Sequence, residues 1–571
     1  MIDENAFPEQ FRKYHLSHWI ILLILSAGLW IPTCGLWNLW GPDEARYVQI
    51  ARELMGRDNW FYLTLFDQPY DQKPPLPFWM FAGMLKLTGG EISSWTLRLP
   101  SVLFAVMSVL LTYDIGRHCF GARTGLISAL IFLTTPLVLS HAAEARLDMI
   151  FTGWIVLSLY PWMTRKDGKP LGATGAVIMW GALAGAFFTK GPLAVIIVAS
   201  VLITEAWTTH DFRRVFKKAC VAFGICGLIL LIAGWLLIQA HSVSPEFTVG
   251  MVKGETVHRF LNGKHHKPVW FYLSRLFTEI MVPWGVMLIP AGMGLWKSRR
   301  SLPEGMVRIV GWILPTFVLL CLAHGKRNVY LLPLMPALAL LIGWQIDRWI
   351  RNRPALPGWW KAAGGLALTW AFFLLSAAII FAVRQDIAWR HGIDIEGHHI
   401  IVTGCVGLGM VLISRFYMRL RPSHLHIVYL IVSILYSGAV LNCMVVRPVM
   451  DRESSTRMFA EHLAFEFPSL KNGASLGALG GARKPEYHIY GDYRVVPIPA
   501  VSESFDHPAT LPAMVLVLQQ DEKLFFDSLD DAGYRKVYRD HALGKQLTMY
   551  VRKESALVER GTKSTLCFDH S

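Results

Sequence analysis

Charged side chains are scarce in this chain. Asp, Glu, Lys and Arg make up 17% of its 571 residues, whereas hydrophobic residues make up 53%. A soluble chain of this length needs more polar surface, so the composition excludes that class and predicts a polytopic membrane protein. Acidic residues are scarcest, at 41 against 55 Lys and Arg. The resulting net charge does not indicate nucleic-acid binding, because the basic residues lie in short segments between apolar runs.

Several motifs that carry chemistry are missing from the sequence. The eight cysteines form no CxxC pair, no HExxH sequence occurs, and the C-terminal part has no nucleotide-binding glycine motif. The cysteines are therefore predicted to be packing residues rather than metal ligands. The chain also has no internal repeat, which argues against a transporter built from related halves.

Apolar runs long enough to cross a bilayer recur along the first 446 residues. We predict thirteen spans, at 18–37, 99–116, 123–140, 147–163, 171–188, 191–207, 219–240, 277–296, 306–323, 329–347, 362–384, 398–414 and 424–446. A shorter run at 76–88 follows two prolines and is predicted to lie in the membrane interface, with a fourteenth span as the alternative. We expect no cleavable signal, because the first run is long enough to span the membrane.

The distribution of Lys and Arg decides between thirteen and fourteen spans. With thirteen spans and a cytoplasmic N-terminus, every cytoplasmic loop is basic, as the positive-inside rule requires. These loops lie at 117–123, 165–169, 213–218, 297–300, 348–353 and 415–421. Counting 76–88 as a span puts the later loops on the wrong side. We therefore predict a multi-pass inner-membrane protein whose first external loop, 38–98, faces the periplasm.

The composition changes after residue 447, where charged residues become frequent and no further span follows. Short apolar segments at 475–480, 493–498 and 513–519 are typical of buried strands, and 455–466 and 521–532 are predicted helices. The sequence thus predicts a membrane domain, 1–446, and a soluble periplasmic α/β domain, 447–571.

The first external loop concentrates polar residues near the membrane surface. If a helix begins at Pro42, then Asp43, Arg46 and Tyr47 lie on one face, where they can bind a cation or a phosphate. The alternative is a helix cap with a local Asp–Arg pair. Lys73 precedes two prolines that fix its direction, and it either binds an anion or extends to the interface.

Later loops on the same predicted side add further candidates. Asp148 stands at the start of a span, where an acid is costly unless it faces protein or water. Lys190 lies between two apolar runs and either binds an anion or extends to the interface, and Tyr330 is either a site residue or part of the interfacial aromatic belt. The loop 241–276 adds a further set that can bind a phosphate, a sugar or a metal: Glu255, His258 and Arg259.

Together these motifs resemble the membrane glycosyltransferases of the GT-C class. The similarity is to the bacterial aminoarabinose transferases of lipid A and, more distantly, to the protein O-mannosyltransferases. The matching pieces are Pro42-Asp43-Glu44-Ala45-Arg46-Tyr47, Lys73-Pro74 with Trp79, Leu147-Asp148, Thr189-Lys190-Gly191, Glu255 with His258-Arg259-Phe260, and Tyr330-Leu331-Leu332-Pro333. The resemblance covers about the first 350 residues.

The resemblance implies a polyprenyl-phosphate-linked sugar as donor. It implies catalytic roles for Asp43 and Asp148, as base or as ligands of a divalent Mg²⁺ or Mn²⁺, and we include the adjacent Glu44 among the catalytic candidates. Lys73 is implied to bind the donor phosphate. The remaining substrate-binding candidates are Arg46, Tyr47, Lys190, Glu255, His258, Arg259 and Tyr330.

The resemblance leaves the sugar and the acceptor open. Aminoarabinose, a hexose or a hexosamine can be the sugar, and lipid A or another lipopolysaccharide glycan the acceptor. A protein O-mannosyltransferase and a flippase for lipid-linked sugars are the alternatives. The flippase predicts ionisable residues in mid-span, whereas the candidates here lie at the ends of loops.

Overall fold

The computed structural model describes most of the chain, in two compact units. Described are 9–39, 41–165, 171–210, 219–252, 267–352, 357–383, 397–420 and 424–454, and then 457–467, 470, 475–479, 495–498, 512–518, 526, 529–542 and 545–553. Unit 1 contains 1–36, 71–80 and 98–446. Unit 2 contains 37–70, 81–97 and 447–571, so it combines most of the first loop with the C-terminal part.

The described part of the chain up to residue 454 is mostly helical. Its α-helices are α1 (Glu9–Thr33), α2 (Gly41–Met55), α3 (Leu76–Leu87), α4 (Ser94–Phe120), α5 (Ala122–Leu133), α6 (Pro136–His141), α7 (Leu147–Thr164), α8 (Ala173–Lys190), α9 (Leu193–Thr209), α10 (Ala219–Ser242), α11 (Pro245–Val252), α12 (Phe271–Arg275), α13 (Leu288–Lys297), α14 (Glu304–Leu322), α15 (Met335–Asn352), α16 (Pro357–Val383), α17 (Gly397–Arg419), α18 (His424–Leu441) and α19 (Arg447–Ser454). Among the described residues, nine helical segments are long and apolar enough to cross a membrane.

Two predicted spans are interrupted within the described residues. The run 123–140 is divided at Thr134 into α5 and the short α6, because Pro136 has no N–H to continue the hydrogen-bond pattern. The run 277–296 consists of a π-helical segment, Leu276–Ile280, a 3₁₀ segment, Trp284–Met287, and then α13. Pro283 lies at the interruption. The predicted interfacial run 76–88 is a helix, α3, of 12 residues.

Small residues let the helices of unit 1 pack closely. A Cβ atom on Gly116 of α4 would lie 2.7 Å from the Cα atom of Gly125 of α5, so the two helices meet there backbone to backbone. Between α9 and α14, the hydroxyl of Ser200 donates a 2.9 Å hydrogen bond to the carbonyl oxygen of Gly311. Because lipid supplies no hydrophobic drive between helices, such contacts carry much of the specificity of the fold.

The C-terminal part of unit 2 has a five-stranded mixed sheet with strand order β4-β3-β5-β7-β6. Its strands are β3 (Leu476–Leu479), β4 (Val495–Ile498), β5 (Met514–Leu518), β6 (Tyr534–Ala542) and β7 (Lys545–Arg552). The first three are parallel, and β7 pairs antiparallel with β5 and β6. The three predicted strands are confirmed, and β6 and β7 were not predicted. The helix α20 (Arg457–Glu466) confirms one predicted helix, whereas 521–532 lies largely outside the described residues.

The first-loop part of unit 2 contains α2 and a small hairpin, β1 (Thr64–Leu65) and β2 (Gln68–Pro69). The two turn residues, Phe66 and Asp67, have φ of 57° and 60°, a conformation that costs energy for residues other than glycine. Hydrogen bonds to the carboxylate of Glu53, in α2, offset part of this cost. The carboxylate accepts hydrogen bonds from the Phe66 N–H at 2.8 Å and the Thr64 hydroxyl at 2.6 Å.

Glu53→Ala is therefore expected to loosen the hairpin. Losing bonds to a charged acceptor costs about 1.5–3 kcal/mol each, and these bonds help to offset the strain of the turn. Hydrogen–deuterium exchange of 60–70 should rise in purified protein, while exchange in α7 stays as in wild type. Asp58→Ala changes an exposed acid of the same loop and is the control. Equal exchange in the two variants would contradict this role of Glu53.

Candidate active site

Asp148 and Lys190 form a largely buried ion pair in unit 1. Lys190 Nζ donates a 2.5 Å hydrogen bond to Asp148 Oδ1, and the side chains are 12% and 7% exposed. Asp148 lies in the first turn of α7 and Lys190 ends α8, so each charge complements the dipole of its own helix. Helix α8 ends there because Gly191 adopts a φ of 79°, which favours glycine. The packing of α7 against α8 then brings the two ends together.

Three further ionisable side chains extend this pair along the segment before α7. Arg146 Nε lies 3.4 Å from Asp148 Oδ2, and one of its terminal nitrogens lies 3.5 Å from Glu144 Oε2. His141 Nδ1 lies 2.7 Å from the same Glu144 oxygen. The result is an alternating row of basic and acidic groups. We call His141, Glu144, Arg146, Asp148 and Lys190 the charged row.

Two aromatic rings border the ammonium group of Lys190. Its Nζ lies 5.4 Å from the centre of the Phe151 ring and 5.7 Å from that of the Tyr330 ring. Phe151 is one turn beyond Asp148 on α7, and Tyr330 lies in a 3₁₀ segment, Asn328–Leu334. Contacts at such distances are typical of cation–π attraction between an ammonium group and aromatic rings. The structure thus brings together three predicted residues: Asp148, Lys190 and Tyr330.

The predicted first-loop residues of unit 2 lie on α2. Asp43 and Glu44 occupy its first turn, and Arg46 donates a 2.9 Å hydrogen bond to Asp43 Oδ1. The Asp43 side chain is 12% exposed and that of Arg46 is 25% exposed. Glu44 and Tyr47 are buried, at 1% and 8% exposure. The predicted i, i+3 pair is therefore formed, and it is also the arrangement that a local cap requires.

Of the remaining predicted site residues, Lys73 is described and the other three are not. Lys73 of unit 1 is half-buried, and its ammonium group donates a hydrogen bond to the Gln72 carbonyl oxygen at 2.8 Å. Glu255, His258 and Arg259 lie outside the described residues. Within the described part of the chain, no group of three or more His, Cys, Asp or Glu side chains is placed to hold a metal ion. The metal role of Asp43 and Asp148 stays a prediction.

Sequence reasoning did not assign a role to three residues that the structure places at the charged row. Phe151 looked like any apolar residue of a span, because its contact with Lys190 depends on the packing of α7 against α8. His141 and Glu144 carried a usable signal, since their i, i+3 spacing at the end of α6 allows a direct contact.

Comparison with known proteins assigns this chain to a family. Residues 72–238 match the family described as dolichyl-phosphate-mannose-protein mannosyltransferase. An undecaprenyl phosphate-alpha-4-amino-4-deoxy-L-arabinose arabinosyl transferase of Pseudomonas fluorescens Pf-5 is 30% identical over 411 residues, which are 70% of this chain and 71% of that protein. The chain belongs to this transferase family. Another member, from P. fluorescens Pf0-1, is 29% identical over 358 residues, 62% of this chain and 59% of that protein.

Solved structures agree with the family at the level of fold. The crystal structure of ArnT from Cupriavidus metallidurans bound to undecaprenyl phosphate superposes with a TM-score of 0.71, covering 93% of this chain and 98% of that one at 20% identity. An archaeal oligosaccharyltransferase, AglB from Archaeoglobus fulgidus, gives a TM-score of 0.50 at 11% identity and covers 94% and 74%. These similarities establish the GT-C type fold that the sequence predicted.

Proposed function

We propose that this protein is an integral-membrane glycosyltransferase that moves a sugar from undecaprenyl phosphate to lipid A or a related lipopolysaccharide acceptor. Membership of the arabinosyl transferase family carries the proposal. The name of that family makes 4-amino-4-deoxy-L-arabinose the first candidate for the sugar. The matched region covers about three fifths of the length of the P. fluorescens Pf0-1 relative.

The charged row supplies chemistry that such a reaction needs. When the anomeric carbon of the donor is attacked, its bond to the phosphate oxygen breaks and negative charge develops on the leaving phosphate. A preorganised cation in a site shielded from water stabilises that charge best. Lys190 meets both conditions, because it is largely buried and bordered by two aromatic rings. Asp148 holds it in place, and Arg146 lies 3.4 Å from the other carboxylate oxygen of Asp148.

We assign the remaining roles as follows. Asp43 accepts the proton of the acceptor hydroxyl as its oxygen forms the new glycosidic bond. Arg46 is a quarter exposed, so a donor phosphate can attract it away from Asp43 and leave that carboxylate free to act as a base. Lys73, Glu44, Tyr47, Tyr330 and the loop residues Glu255, His258 and Arg259 bind substrate or support these groups. A divalent Mg²⁺ or Mn²⁺ on Asp43 and Asp148 remains part of the proposal as an alternative source of positive charge.

The proposed orientation places the reaction at the periplasmic face of the inner membrane. The basic loops between the predicted spans support a cytoplasmic N-terminus. The thirteen-span topology and the periplasmic location of the C-terminal α/β domain belong to the same proposal. Labelling of single-cysteine variants at Asp58 and at Ser298 with a membrane-impermeant reagent tests it, because only the first should react in intact cells.

The experiment that tests the function is a transfer assay with purified protein, an undecaprenyl-phosphate-linked sugar and lipid A. Asp43→Ala and Lys73→Ala should each reduce transfer by about 100-fold or more, because Asp43 is the proposed base and Lys73 is proposed to bind the donor phosphate, which is the leaving group. Asp58→Ala and Lys86→Ala, exposed acidic and basic residues of the same loop region, should stay close to wild type. Adding a metal chelator to the same assay tests whether transfer requires a divalent cation.

Two outcomes would contradict the proposed function. One is normal transfer by both Asp43→Ala and Lys73→Ala. The other is movement of the donor across the bilayer by wild-type protein without any glycosidic product, which would indicate a flippase.

The family match over 72–238 supports a second candidate, an enzyme resembling the protein O-mannosyltransferases. The two candidates differ in acceptor class. Mass spectrometry of lipid A and of periplasmic proteins from a deletion strain separates them, because the missing sugar must disappear from one class or the other.

A further inference from the structure

The C-terminal part of unit 2 holds the residues that lead into α2. The carboxylate of Asp451, in α19, accepts two hydrogen bonds from Asn38, one from its backbone N–H at 3.0 Å and one from its side-chain amide at 2.7 Å. Both bonds reach the same oxygen, Oδ2. Asp451 is only 8% exposed, although it follows Asn38 by 413 residues in the chain. This is a long-range bond to a buried charge rather than a local turn.

Two further contacts join the same short stretches. The guanidinium carbon of Arg447 lies 4.8 Å from the centre of the Trp37 ring, and both residues are buried. The side chain of Arg457, at the start of α20, donates a 3.3 Å hydrogen bond to the Asn38 side-chain oxygen. The pair Trp37-Asn38 is thus held by three side chains from 447–457. We call this set of contacts the 38–451 clamp.

The clamp acts close to a proposed catalytic group. Helix α2 begins at Gly41, only three residues after Asn38, and Asp43 lies in its first turn. At the other end of α2, Glu53 is bonded to the β1–β2 hairpin. The helix is therefore held near both ends, and the contacts of Trp37 and Asn38 described here come from residues that follow the last predicted span.

We propose that Asp451 is a positioning residue for the transfer reaction, holding the start of α2 so that Asp43 keeps its working orientation. The inference rests on the proposed function, and it gives the segment after the last span a role in the chemistry. Asp451 itself contacts no reacting atom. Its loss should lower the fraction of molecules in which Asp43 is correctly placed, so kcat should fall while the KM for the donor changes little.

The test compares Asp451→Ala with Asp451→Asn in the full-length protein. Asp451→Ala removes the acceptor of both bonds, and kcat should fall by about tenfold or more, since bonds to a charged group are worth about that factor or more. Asp451→Asn keeps a neutral oxygen that can accept the same two bonds, and its kcat should stay within about threefold of wild type. The control is Asp530→Asn, which changes an exposed ion pair with Lys553 elsewhere in unit 2.

Hydrogen–deuterium exchange gives a second readout that does not depend on activity. Exchange in 37–47 should rise in Asp451→Ala and return to the wild-type level in Asp451→Asn, while exchange in α7 is unchanged in both. A uniform rise throughout the protein would overturn the positioning role, because it indicates general destabilisation. An unchanged kcat and unchanged exchange in Asp451→Ala would also overturn it. If wild-type protein shows no transfer at all, the proposed function fails, and the exchange data still decide whether the clamp exists.

Discussion

Lys190→Met should lower kcat/KM for sugar transfer by about 100- to 1,000-fold while expression and membrane insertion stay normal. This is the usual cost of removing one donor that stabilises developing negative charge in a shielded site. Methionine keeps much of the volume of lysine, so the packing between α7 and α8 is retained. The substitution also leaves Asp148 with Arg146 as a neighbouring cation at 3.4 Å, which limits its structural cost. Initial-rate kinetics with purified protein measure the effect.

A double-mutant cycle separates catalytic from structural effects of the pair. If Asp148 acts by holding Lys190, then Lys190→Met with Asp148→Asn should cost little more than Lys190→Met alone. If Asp148 acts independently as a base or a metal ligand, the two losses should multiply. Lys297→Ala, at an exposed lysine that ends α13, is the control and should remain fully active. Wild-type kinetics in Lys190→Met would remove Lys190 from the proposed mechanism.

Glu205→Ala should destabilise the protein more than any surface substitution. Glu205 is 1% exposed and accepts hydrogen bonds from Trp162 Nε1 at 2.7 Å and from Arg308 Nε at 3.1 Å. Arg165 forms a further ion pair with it. These groups join the C-terminal ends of α7 and α9 to the start of α14. Removing one partner from a buried ionic cluster costs about 3–5 kcal/mol. Arg165 and Arg308 would both lose the Glu205 carboxylate, although Arg308 keeps its 2.9 Å ion pair with Glu304.

The apparent midpoint of thermal unfolding in detergent checks this expectation. Glu205→Gln keeps hydrogen-bond acceptance without the charge, so its midpoint should lie between those of wild type and Glu205→Ala. Glu279→Ala breaks an exposed pair with Arg275 and should cost at most about 1 kcal/mol. Indistinguishable midpoints for Glu205→Ala and Glu279→Ala would show that the buried cluster contributes nothing to stability.

The membrane class and most helices were predictable because they follow from local patterns. A run of about twenty apolar residues must form a helix in lipid, whatever its neighbours are. The predicted spans were wrong in detail at Pro136 and Pro283, where the helices are interrupted. Hydropathy does not show that a proline lacks the N–H needed to continue a helix. The strand β6 was missed because charged residues such as Arg535, Lys536 and Arg539 interrupt its apolar pattern.

The sequence identified single residues of the candidate site, but not which of them contact each other. Asp148 and Lys190 stood out separately, because charges at the ends of spans are costly unless they are paired or face water. The sequence by itself therefore determined a polytopic membrane protein, the GT-C resemblance and a set of polar candidates. Only the tertiary structure decided that Lys190 pairs with Asp148, that Tyr330 and Phe151 border it, and that Asp451 holds Asn38. Such contacts join residues 39 to 413 positions apart, and pairing at that separation is set by how helices pack rather than by any local pattern.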